Sequence, residues 1–307
     1  MKRLSRRETL RGFLVAGAAA TTVSALPGVA AAGGKPSAPS EAQGMLYDAT
    51  LCIGCKACMS ACAEANDLPP DRGDIDGGIH QAPRRLNEHT KNIIQLYEEP
   101  GTGVRSFVKR QCMHCVDPAC VSACMMHALT KDATTGIVSW SGDRCVGCRY
   151  CQIGCPFGVP AFEWTALNPR IIKCELCRHR KQGPACCEVC PRGAVIWGKR
   201  ADLLAEAKRR LARSPGLYID HVYGESEGGG TQVLYLSAVP FEKLGLPTLG
   251  EESLPEGVHK VQGALYRGFV APLALFGCLG LAIQRRMKAR SDDDDDETDE
   301  SHTEDRS

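Results

Sequence analysis

The sequence predicts an α+β fold made of two fused, similar cysteine-rich modules, followed by a single C-terminal transmembrane helix. Three observations lead to this prediction. Sixteen of the 18 cysteines fall into four groups of four with nearly the same internal spacing. Short apolar segments typical of strands recur beside these groups. Residues 268–284 form an uncharged run near the C-terminus, which is the pattern of a membrane-spanning segment.

The chain begins with a segment typical of an export signal. A basic stretch at residues 5–11 is followed by the mildly apolar residues 12–26 and by three alanines at 30–32, which form a small-residue cleavage site. Arg6 and Arg7 resemble the pair in a twin-arginine signal, although Thr9 stands where that motif prefers a large apolar residue. An ordinary signal peptide that contains two arginines is the alternative. We predict a twin-arginine signal peptide over residues 1–32 and a linker over residues 33–44.

Four cysteine groups dominate the next segment, which we predict to be one domain over residues 45–258. A cubane iron-sulfur cluster needs four thiolates, and a loop with a cysteine at every third position directs three of them to one point. The fourth cysteine of such a motif binds the cluster of a partner motif in bacterial ferredoxin-type sequences. The groups are Cys52, Cys55, Cys58 and Cys62; Cys112, Cys115, Cys120 and Cys124; Cys145, Cys148, Cys151 and Cys155; and Cys174, Cys177, Cys186 and Cys190.

The spacing favours clusters over the other structures that cysteines form. Disulfides are common in exported chains, but cysteines three residues apart in four repeated groups have poor geometry for them. Structural zinc sites typically use two cysteine pairs separated by a longer span. In the fourth group we choose Cys186 over the adjacent Cys187, because only Cys186 reproduces the three-residue gap before Cys190. Cys187 and Cys278 are therefore predicted to be spare thiols.

Apolar segments and a long insertion organise the rest of this domain. Repetition of short strands beside the cysteine groups indicates two ferredoxin-like modules in one body. The 49 residues between Cys62 and Cys112 are too long for a bare loop and predict an insertion that makes a contact, with no contact partner specified by the sequence. The predicted strands are residues 45–47, 127–129, 136–140, 193–197 and 231–236.

A helix and a run of glycines follow the last cysteine group. Residues 201–213 carry leucines and alanine at helical spacing, with basic residues on the other face, which predicts an amphipathic helix. Gly228, Gly229 and Gly230 precede a predicted strand. A phosphate-binding loop has the reverse order of strand, glycines and helix, so we interpret these glycines as a place of close backbone approach.

The charge is balanced overall but unevenly distributed. The formal net charge is +1. The last sixteen residues contain ten acids and one base, a net of −9, so the remaining residues carry +10. We interpret the basic excess as suited to anionic clusters, and we predict no nucleic-acid partner. Basic residues near the cysteines could offset cluster charge and tune potential, although each is equally explained as a solvated surface residue: Lys109, Arg110, Arg144, Arg149, Lys173 and Arg178.

Residues 261–284 are predicted to be a membrane anchor. The seventeen uncharged residues at 268–284 would span roughly 25 Å as a helix, near the short limit for crossing a bilayer. A buried amphipathic helix is the alternative, but the segment has no polar stripe. Four basic residues follow at 285–290, so the positive-inside rule places the tail, residues 285–307, in the cytoplasm. The cysteine domain would then face the periplasm, on the outer side of the cytoplasmic membrane.

Three phrases of the sequence carry a resemblance to a known family. They are residues 45–55 with the first CxxC motif, residues 111–118 with the second, and residues 223–234 near the end of the domain. Together with the four cysteine groups they resemble the iron-sulfur subunits that accompany molybdopterin oxidoreductases and certain hydrogenases. A chain with both an export signal and an anchor looks most like the HybA-type subunits of membrane-bound nickel-iron hydrogenases, relatives of the beta subunits of formate dehydrogenase and dimethyl sulfoxide reductase.

The resemblance implies four 4Fe-4S clusters and a specific set of ligands for each. Met125 departs from the family pattern, because proline is usual after the last cysteine of a group, but the ligand itself is retained. No group has the tryptophan found in nitrate reductase beta subunits, so a 3Fe-4S cluster is not expected. The implied sets are Cys52, Cys55, Cys58 and Cys190 (cluster 1); Cys174, Cys177, Cys186 and Cys62 (cluster 2); Cys112, Cys115, Cys120 and Cys155 (cluster 3); and Cys145, Cys148, Cys151 and Cys124 (cluster 4).

The resemblance also implies a role. It predicts a non-catalytic electron-transfer subunit between the small and large subunits of a periplasmic hydrogenase and an integral membrane subunit that reacts with quinone. The sequence contains no nucleophile triad, nucleotide loop or nickel site, which agrees with a subunit that is not itself an enzyme. A beta subunit of a formate dehydrogenase or polysulfide reductase is the alternative within this class. A membrane-tethered metal-binding or disulfide-stapled surface protein is the alternative outside it.

Overall fold

The computed structural model describes residues 37–69, 78–164, 166, 169–255 and 275–286. The described residues up to 255 lie in one compact unit, and residues 275–286 belong to another. Short strands and helices alternate through the first unit, in agreement with the predicted mixture of α and β structure.

The predicted strands and the predicted amphipathic helix are all present, with small shifts of their ends. The strands are β1 Gln43–Asp48, β2 Asn92–Glu98, β3 Arg105–Gln111, β4 Leu129–Lys131, β5 Val138–Trp140, β6 Ala161–Phe162, β7 Ile171–Ile172, β8 Val195–Lys199 and β9 Val233–Leu236. The α-helices are α1 Ala57–Ala65, α2 Ala119–Ser122, α3 Tyr150–Ile153, α4 Ala185–Glu188 and α5 Arg200–Arg213. Single turns of 3₁₀ helix lie at Ile79–Gln81, Gly142–Arg144 and Glu227–Gly229.

A three-stranded sheet joins the beginning of the domain to its end. β1 lies in the centre, antiparallel to β8 and parallel to β9. Because side chains alternate along a strand, Met45 and Tyr47 enter one core together with Val233 and Tyr235 of β9. Leu46, between them, packs on the opposite face. The first core also contains Cys58, Cys112, Cys174 and Cys186, so this face of the sheet supports the cysteine groups.

Helix α5 covers the other face of the sheet. Leu203 and Ala207 are buried against Leu46, and burial of a leucine-sized side chain contributes roughly 1.5–3 kcal/mol. Arg210, in the last turn of α5, donates a hydrogen bond to the fully buried carboxylate of Asp48 over 3.0 Å. This ion pair ties the helix to the end of β1, just before the first cysteine group.

The insertion between Cys62 and Cys112 contains an antiparallel hairpin of β2 and β3. Two tyrosines of the central sheet bind this hairpin through its backbone. The Tyr47 hydroxyl donates to the carbonyl of Phe107 over 2.7 Å, and the Tyr235 hydroxyl donates to the carbonyl of Lys109 over 2.6 Å. The insertion therefore contacts the central sheet of the same domain.

The close backbone approach predicted at the glycine run is also confirmed. All three residues have positive φ values, from 60° at Gly228 to 91° at Gly230. A Cβ on Gly228 would lie 2.9 Å from the side chain of Leu254, and one on Gly230 would lie 2.9 Å from the carbonyl oxygen of Glu225. Larger residues would therefore meet both strain and steric overlap at this turn.

The predicted anchor falls largely outside the described residues. Its described part, residues 275–284, is helical, and the helix continues to residue 286. Among the helices of the described ranges, none is both long and apolar enough to cross a membrane. The predicted signal peptide at 1–32, the first part of the anchor at 261–274 and the tail after residue 286 lie outside the described residues.

Candidate metal centres

The four cysteine loops share one backbone feature. The residue before the second cysteine of each group has a left-handed conformation: φ is 69° at Gly54, 48° at His114, 68° at Gly147 and 50° at Leu176. This conformation costs an L-amino acid roughly 1–2 kcal/mol, so His114 and Leu176 hold local strain. Strained residues of this kind concentrate at functional sites. The repeated conformation shows that the four loops are turned in the same way.

Helix packing brings the first group to the fourth and the second group to the third. Helix α1 packs against α4, and α2 packs against α3. Helix α1 carries Cys58 and Cys62, while α4 carries Cys186. Because each helix leads away from its loop, this packing brings the last cysteine of one group towards the loop of its partner.

The cysteines assigned to cluster 1 line one cavity. Cys52, Cys55 and Cys58 enter it from the first loop, and Cys190 enters from the segment after α4. The side of the cavity facing the sheet is formed by Tyr47. A thiol more than 130 residues away along the chain thus completes the set.

The cysteines assigned to cluster 4 line a second cavity of the same kind. Cys145, Cys148 and Cys151 are joined there by Cys124. The backbone N–H of Ala128 lies 3.2 Å from the Cys124 sulfur, to which it donates a hydrogen bond. Such donors stabilise thiolate charge and help to set cluster potential.

The thiols assigned to cluster 2 interact with one another in the interior. Cys62 acts electrostatically on Cys177 and Cys186, and Cys174 is influenced by both Cys62 and Cys186. The side-chain amide of Asn66 donates to two of these sulfurs, that of Cys62 at 3.7 Å and that of Cys177 at 3.9 Å. Nothing in the sequence pattern marks Asn66 as part of the site, because the contact depends on the end of α1 meeting the fourth loop.

The thiols assigned to cluster 3 lie nearer the surface: Cys112 is buried, and the other three are half-buried. Cys115 interacts electrostatically with Cys112, Cys155 and Cys120. The backbone N–H of Gly158 donates a hydrogen bond to the carbonyl of Cys155 over 3.1 Å. The structure thus gathers sets 1 and 4 each around one cavity, and the cysteines of sets 2 and 3 lie between them.

The four sets are neighbours in the order 1, 2, 3, 4. Cys58 of set 1 interacts with Cys186 of set 2, Cys174 of set 2 with Cys112 of set 3, and Cys120 of set 3 with Cys151 of set 4. Among these sixteen cysteines only Cys55 and Cys148 are exposed, and they belong to the two end sets. The arrangement is a line with a surface-accessible thiol at each end.

Burial keeps three of the grouped thiols, Cys58, Cys62 and Cys120, protonated in the absence of a metal. Burial raises the pKa of Cys58 and of Cys62 to about 11, although Lys109 opposes the shift at both. Burial likewise raises the pKa of Cys120 to about 12. At neutral pH these groups would stay protonated, and bound iron would have to displace their protons.

The type and the number of the donor side chains in each set fit a 4Fe-4S cluster. Each set offers four thiols, three from one loop and one from a partner segment, which is the ligand arrangement of paired ferredoxin-type clusters. No three His, Cys, Asp or Glu side chains in the described ranges come close enough together to hold a single metal ion.

The adjacent thiols of Cys186 and Cys187 have different environments. A hydrogen bond from the Cys187 thiol holds the pKa of Cys186 below its usual value, while the same contact raises the pKa of Cys187. Cys186 is buried, whereas Cys187 is half-buried. The local chemistry therefore favours Cys186 as the thiolate of the pair.

Only two of the six basic residues near the cysteines are fully buried. They are Lys109 and Lys173, with 0% and 2% of their surfaces exposed. Arg144 and Arg178 are exposed, and the Arg149 guanidinium stacks on Phe162 and Trp164 at 4.4 and 4.0 Å from the ring centres. Arg110 binds the carbonyls of Leu244 and Gly245. The six basic residues all lie near a cysteine in the sequence, but they differ in how deeply the fold buries them.

His114 is a hydrogen-bonding neighbour of the cysteines. It is fully buried, and its Nδ1 accepts a hydrogen bond from the backbone N–H of Val138 over 3.0 Å. Burial keeps the pKa of His114 well below its usual value, and the nearby charges of Lys173 and Lys131 act in the same direction. The ring is therefore neutral and fills the space beside the second loop.

Comparisons with known proteins agree with this arrangement. Two family profiles described as 4Fe-4S dicluster domains match residues 44–125 and 104–200. The hydrogenase-2 operon protein HybA of Escherichia coli is 42% identical over 91% of this chain and 95% of its own length. The iron-sulfur subunit of the nitrate-inducible formate dehydrogenase of Escherichia coli is 33% identical over 83% of this chain and 88% of its own length. The formate dehydrogenase iron-sulfur subunit of Haemophilus influenzae is 34% identical over 62% of this chain.

The two profiles together cover all sixteen grouped cysteines, and the HybA relative covers nearly the whole domain. The resemblance predicted from the sequence is therefore confirmed. The chain belongs to the family of 4Fe-4S dicluster proteins that includes the hydrogenase-2 operon protein HybA.

Proposed function

We propose that this chain is a non-catalytic electron-transfer subunit that connects a hydrogenase small and large subunit to a quinone-reactive membrane subunit through four 4Fe-4S clusters. The observation that supports this function best is the line of four thiol sets with exposed cysteines only in its two end sets. Such a line lets electrons enter at one surface position and leave at another. When bound, each 4Fe-4S cluster supplies a one-electron couple.

The chain's own residues hold, shield and polarise these centres. The cysteines are the ligands: Cys52, Cys55, Cys58 and Cys190; Cys174, Cys177, Cys186 and Cys62; Cys112, Cys115, Cys120 and Cys155; and Cys145, Cys148, Cys151 and Cys124. Apolar side chains of the sheet exclude water from the two inner sets, which lowers the local dielectric. Backbone and amide N–H groups, such as those of Ala128 and Asn66, stabilise thiolate charge.

The hydrogenase partner is supported by the relative named for the hydrogenase-2 operon, which matches at 42% identity over 95% of its length. A formate dehydrogenase partner is the second candidate, and it is supported by relatives at 33–35% identity. Affinity purification of the full chain from anaerobically grown cells distinguishes the two. A co-purified nickel-binding large subunit supports the first proposal, whereas a molybdopterin subunit contradicts it.

Cluster content tests the proposal independently of the partner. We expect about sixteen iron and sixteen sulfide per chain after anaerobic purification, since each cubane contains four of each. Zinc in place of iron would contradict the function, as would far fewer irons together with disulfides in the same cysteine groups.

We further propose that the chain is exported by the twin-arginine route to the periplasmic side of the cytoplasmic membrane. Arg6 and Arg7 and the apolar run at 268–284 support this location. Changing both arginines to lysine should leave the protein in the cytoplasm, and unchanged export would contradict the route. Truncation before Gly268 should release the chain into the periplasm, and continued membrane retention would instead indicate attachment through a partner.

A further inference from the structure

Lys109 places a buried positive charge between the first two cysteine sets. It lies on β3, opposite Ile94 in the hairpin register, and none of its surface is exposed. Its ammonium group interacts electrostatically with Cys58 of set 1 and with three thiols of set 2, those of Cys62, Cys174 and Cys186. The charge therefore lies beside both sets.

The Lys109 ammonium group donates one hydrogen bond to an oxygen atom. Its Nζ donates to the side-chain oxygen of Asn92 over 2.6 Å, and no other oxygen of the described residues accepts a hydrogen bond from it. No Asp or Glu of the described ranges forms an ion pair with it. An ammonium has three donors, so the remaining two are available to the sulfur side of the site.

Asn92 and Tyr235 fix this position. The Asn92 amide donates to the carbonyl of Cys58 over 3.4 Å while its oxygen accepts from Lys109, so one side chain links the lysine to the first loop. The Tyr235 hydroxyl holds the Lys109 carbonyl over 2.6 Å. Removing two charges from water costs several kcal/mol each, and a buried ammonium without a carboxylate needs another anionic partner. The thiolates of the loaded sets are the anions nearest to it.

Lys173, the second buried lysine, has a different arrangement. Its Nζ donates to the carbonyls of Val138 and Cys174, the latter over 3.0 Å. Two backbone acceptors thus occupy two of its three donors. Its charge acts on Cys120 of set 3, whereas Lys109 acts on thiols of both set 1 and set 2. Lys109 is therefore the better candidate for a charge shared by two clusters.

We propose that Lys109 is a positioning charge that raises the reduction potentials of clusters 1 and 2 above the values set by their ligands alone. The inference rests on the proposed electron-transfer function. A fixed cation stabilises the reduced cluster, which carries one more negative charge than the oxidised cluster. Lys109 would therefore create a potential step between the first two centres of the line and the last two.

The test is the substitution Lys109→Met in the full chain, which removes the charge and keeps a long unbranched side chain. We expect the ratio of reduced to oxidised cluster at a fixed ambient potential to fall at least tenfold for clusters 1 and 2, a shift of about 59 mV for a one-electron couple. Clusters 3 and 4 should be unchanged. Potentials are read by electron paramagnetic resonance of redox-poised samples. The signals are assigned with the Cys190→Ala and Cys62→Ala variants.

Two further variants control the experiment. Lys208→Met makes the same chemical change on the exposed face of α5 and should shift no cluster. Lys109→Gln removes the charge but keeps a polar group for Asn92, and it should reproduce the shift seen with methionine.

The outcomes separate this inference from the proposed function. Wild-type protein without iron-sulfur clusters would contradict the function itself. Four loaded clusters with unchanged potentials in Lys109→Met, or equal shifts in all four, would overturn the role of Lys109 alone. Failure of both neutral variants to load cluster 2 would also overturn it, because the charge would then serve assembly instead of potential.

Discussion

Replacement of Cys190 by alanine tests the arrangement of the cysteine sets most directly. Cys190 belongs to the fourth group in the sequence, yet its thiol lines the cavity of Cys52, Cys55 and Cys58. If the set is correct, Cys190→Ala leaves cluster 1 with three protein ligands. The fourth loop keeps all three of the cysteines that it contributes to cluster 2. The substitution should therefore affect cluster 1 and spare cluster 2.

The size of the effect follows from the ligand count. Four cubanes contain about sixteen irons, so complete loss of cluster 1 lowers the content to about twelve, and conversion to a three-iron centre lowers it to about fifteen. Complete loss of cluster 1 should abolish electron transfer through the exposed end that contains Cys55, because cluster 1 is the end of the line. A three-iron centre would instead change the potential at that end. The other three potentials should be retained.

The assay combines iron and sulfide analysis with electron paramagnetic resonance of the anaerobically purified full chain. Cys187→Ala, three residues earlier in the same segment, is the matched control and should keep about sixteen irons, since Cys186 supplies the ligand. Retention of all four clusters in Cys190→Ala would refute the assignment of Cys190 to cluster 1. So would the specific loss of cluster 2, which would show that each group binds its own cluster.

Three other changes have expected outcomes. Gly54→Ala should prevent loading of cluster 1, because the added Cβ would overlap the ring of Phe107 and the residue has a φ of 69°; iron content is the measurement. Arg210→Met should destabilise the domain by about 3 kcal/mol, because it leaves the buried Asp48 carboxylate without its cation, and lower the thermal midpoint by about 6–12 °C. Removal of iron by a chelator should reduce far-ultraviolet circular dichroism, since cysteines form part of the main core.

Matched control variants accompany the Gly54→Ala and Arg210→Met substitutions. Gly158→Ala also places a side chain at a positive φ, of 61°, but no atom lies within 4 Å of the new Cβ, so iron content should be retained. Arg209→Met changes the neighbouring arginine, whose side chain is 58% exposed, and should leave the thermal midpoint nearly unchanged. Equal effects of the paired variants would contradict the steric argument in one case and the buried ion pair in the other.

Local patterns determined a large part of this protein from the sequence alone. The ligand loops are encoded by cysteine spacing, because a short loop converges on one cluster regardless of the rest of the chain. The short strands beside the loops and the helix α5 were also predictable, since their apolar periodicity is local. The choice of Cys186 over Cys187 followed from a repeated gap of three residues, and the thiol environments agree with it.

Only the tertiary structure decided which side chains act together across the chain. Lys109 and Arg144 both lie near a cysteine in the sequence, but one is fully buried and the other is exposed. That difference arises because β2 and β9 cover Lys109 with residues that are distant in sequence, Asn92 and Tyr235. The contact of Asn66 with two sulfurs depends on the packing of α1 against the fourth loop in the same way. Spacing therefore specifies the ligands, and burial by remote segments specifies the charges and donors around them.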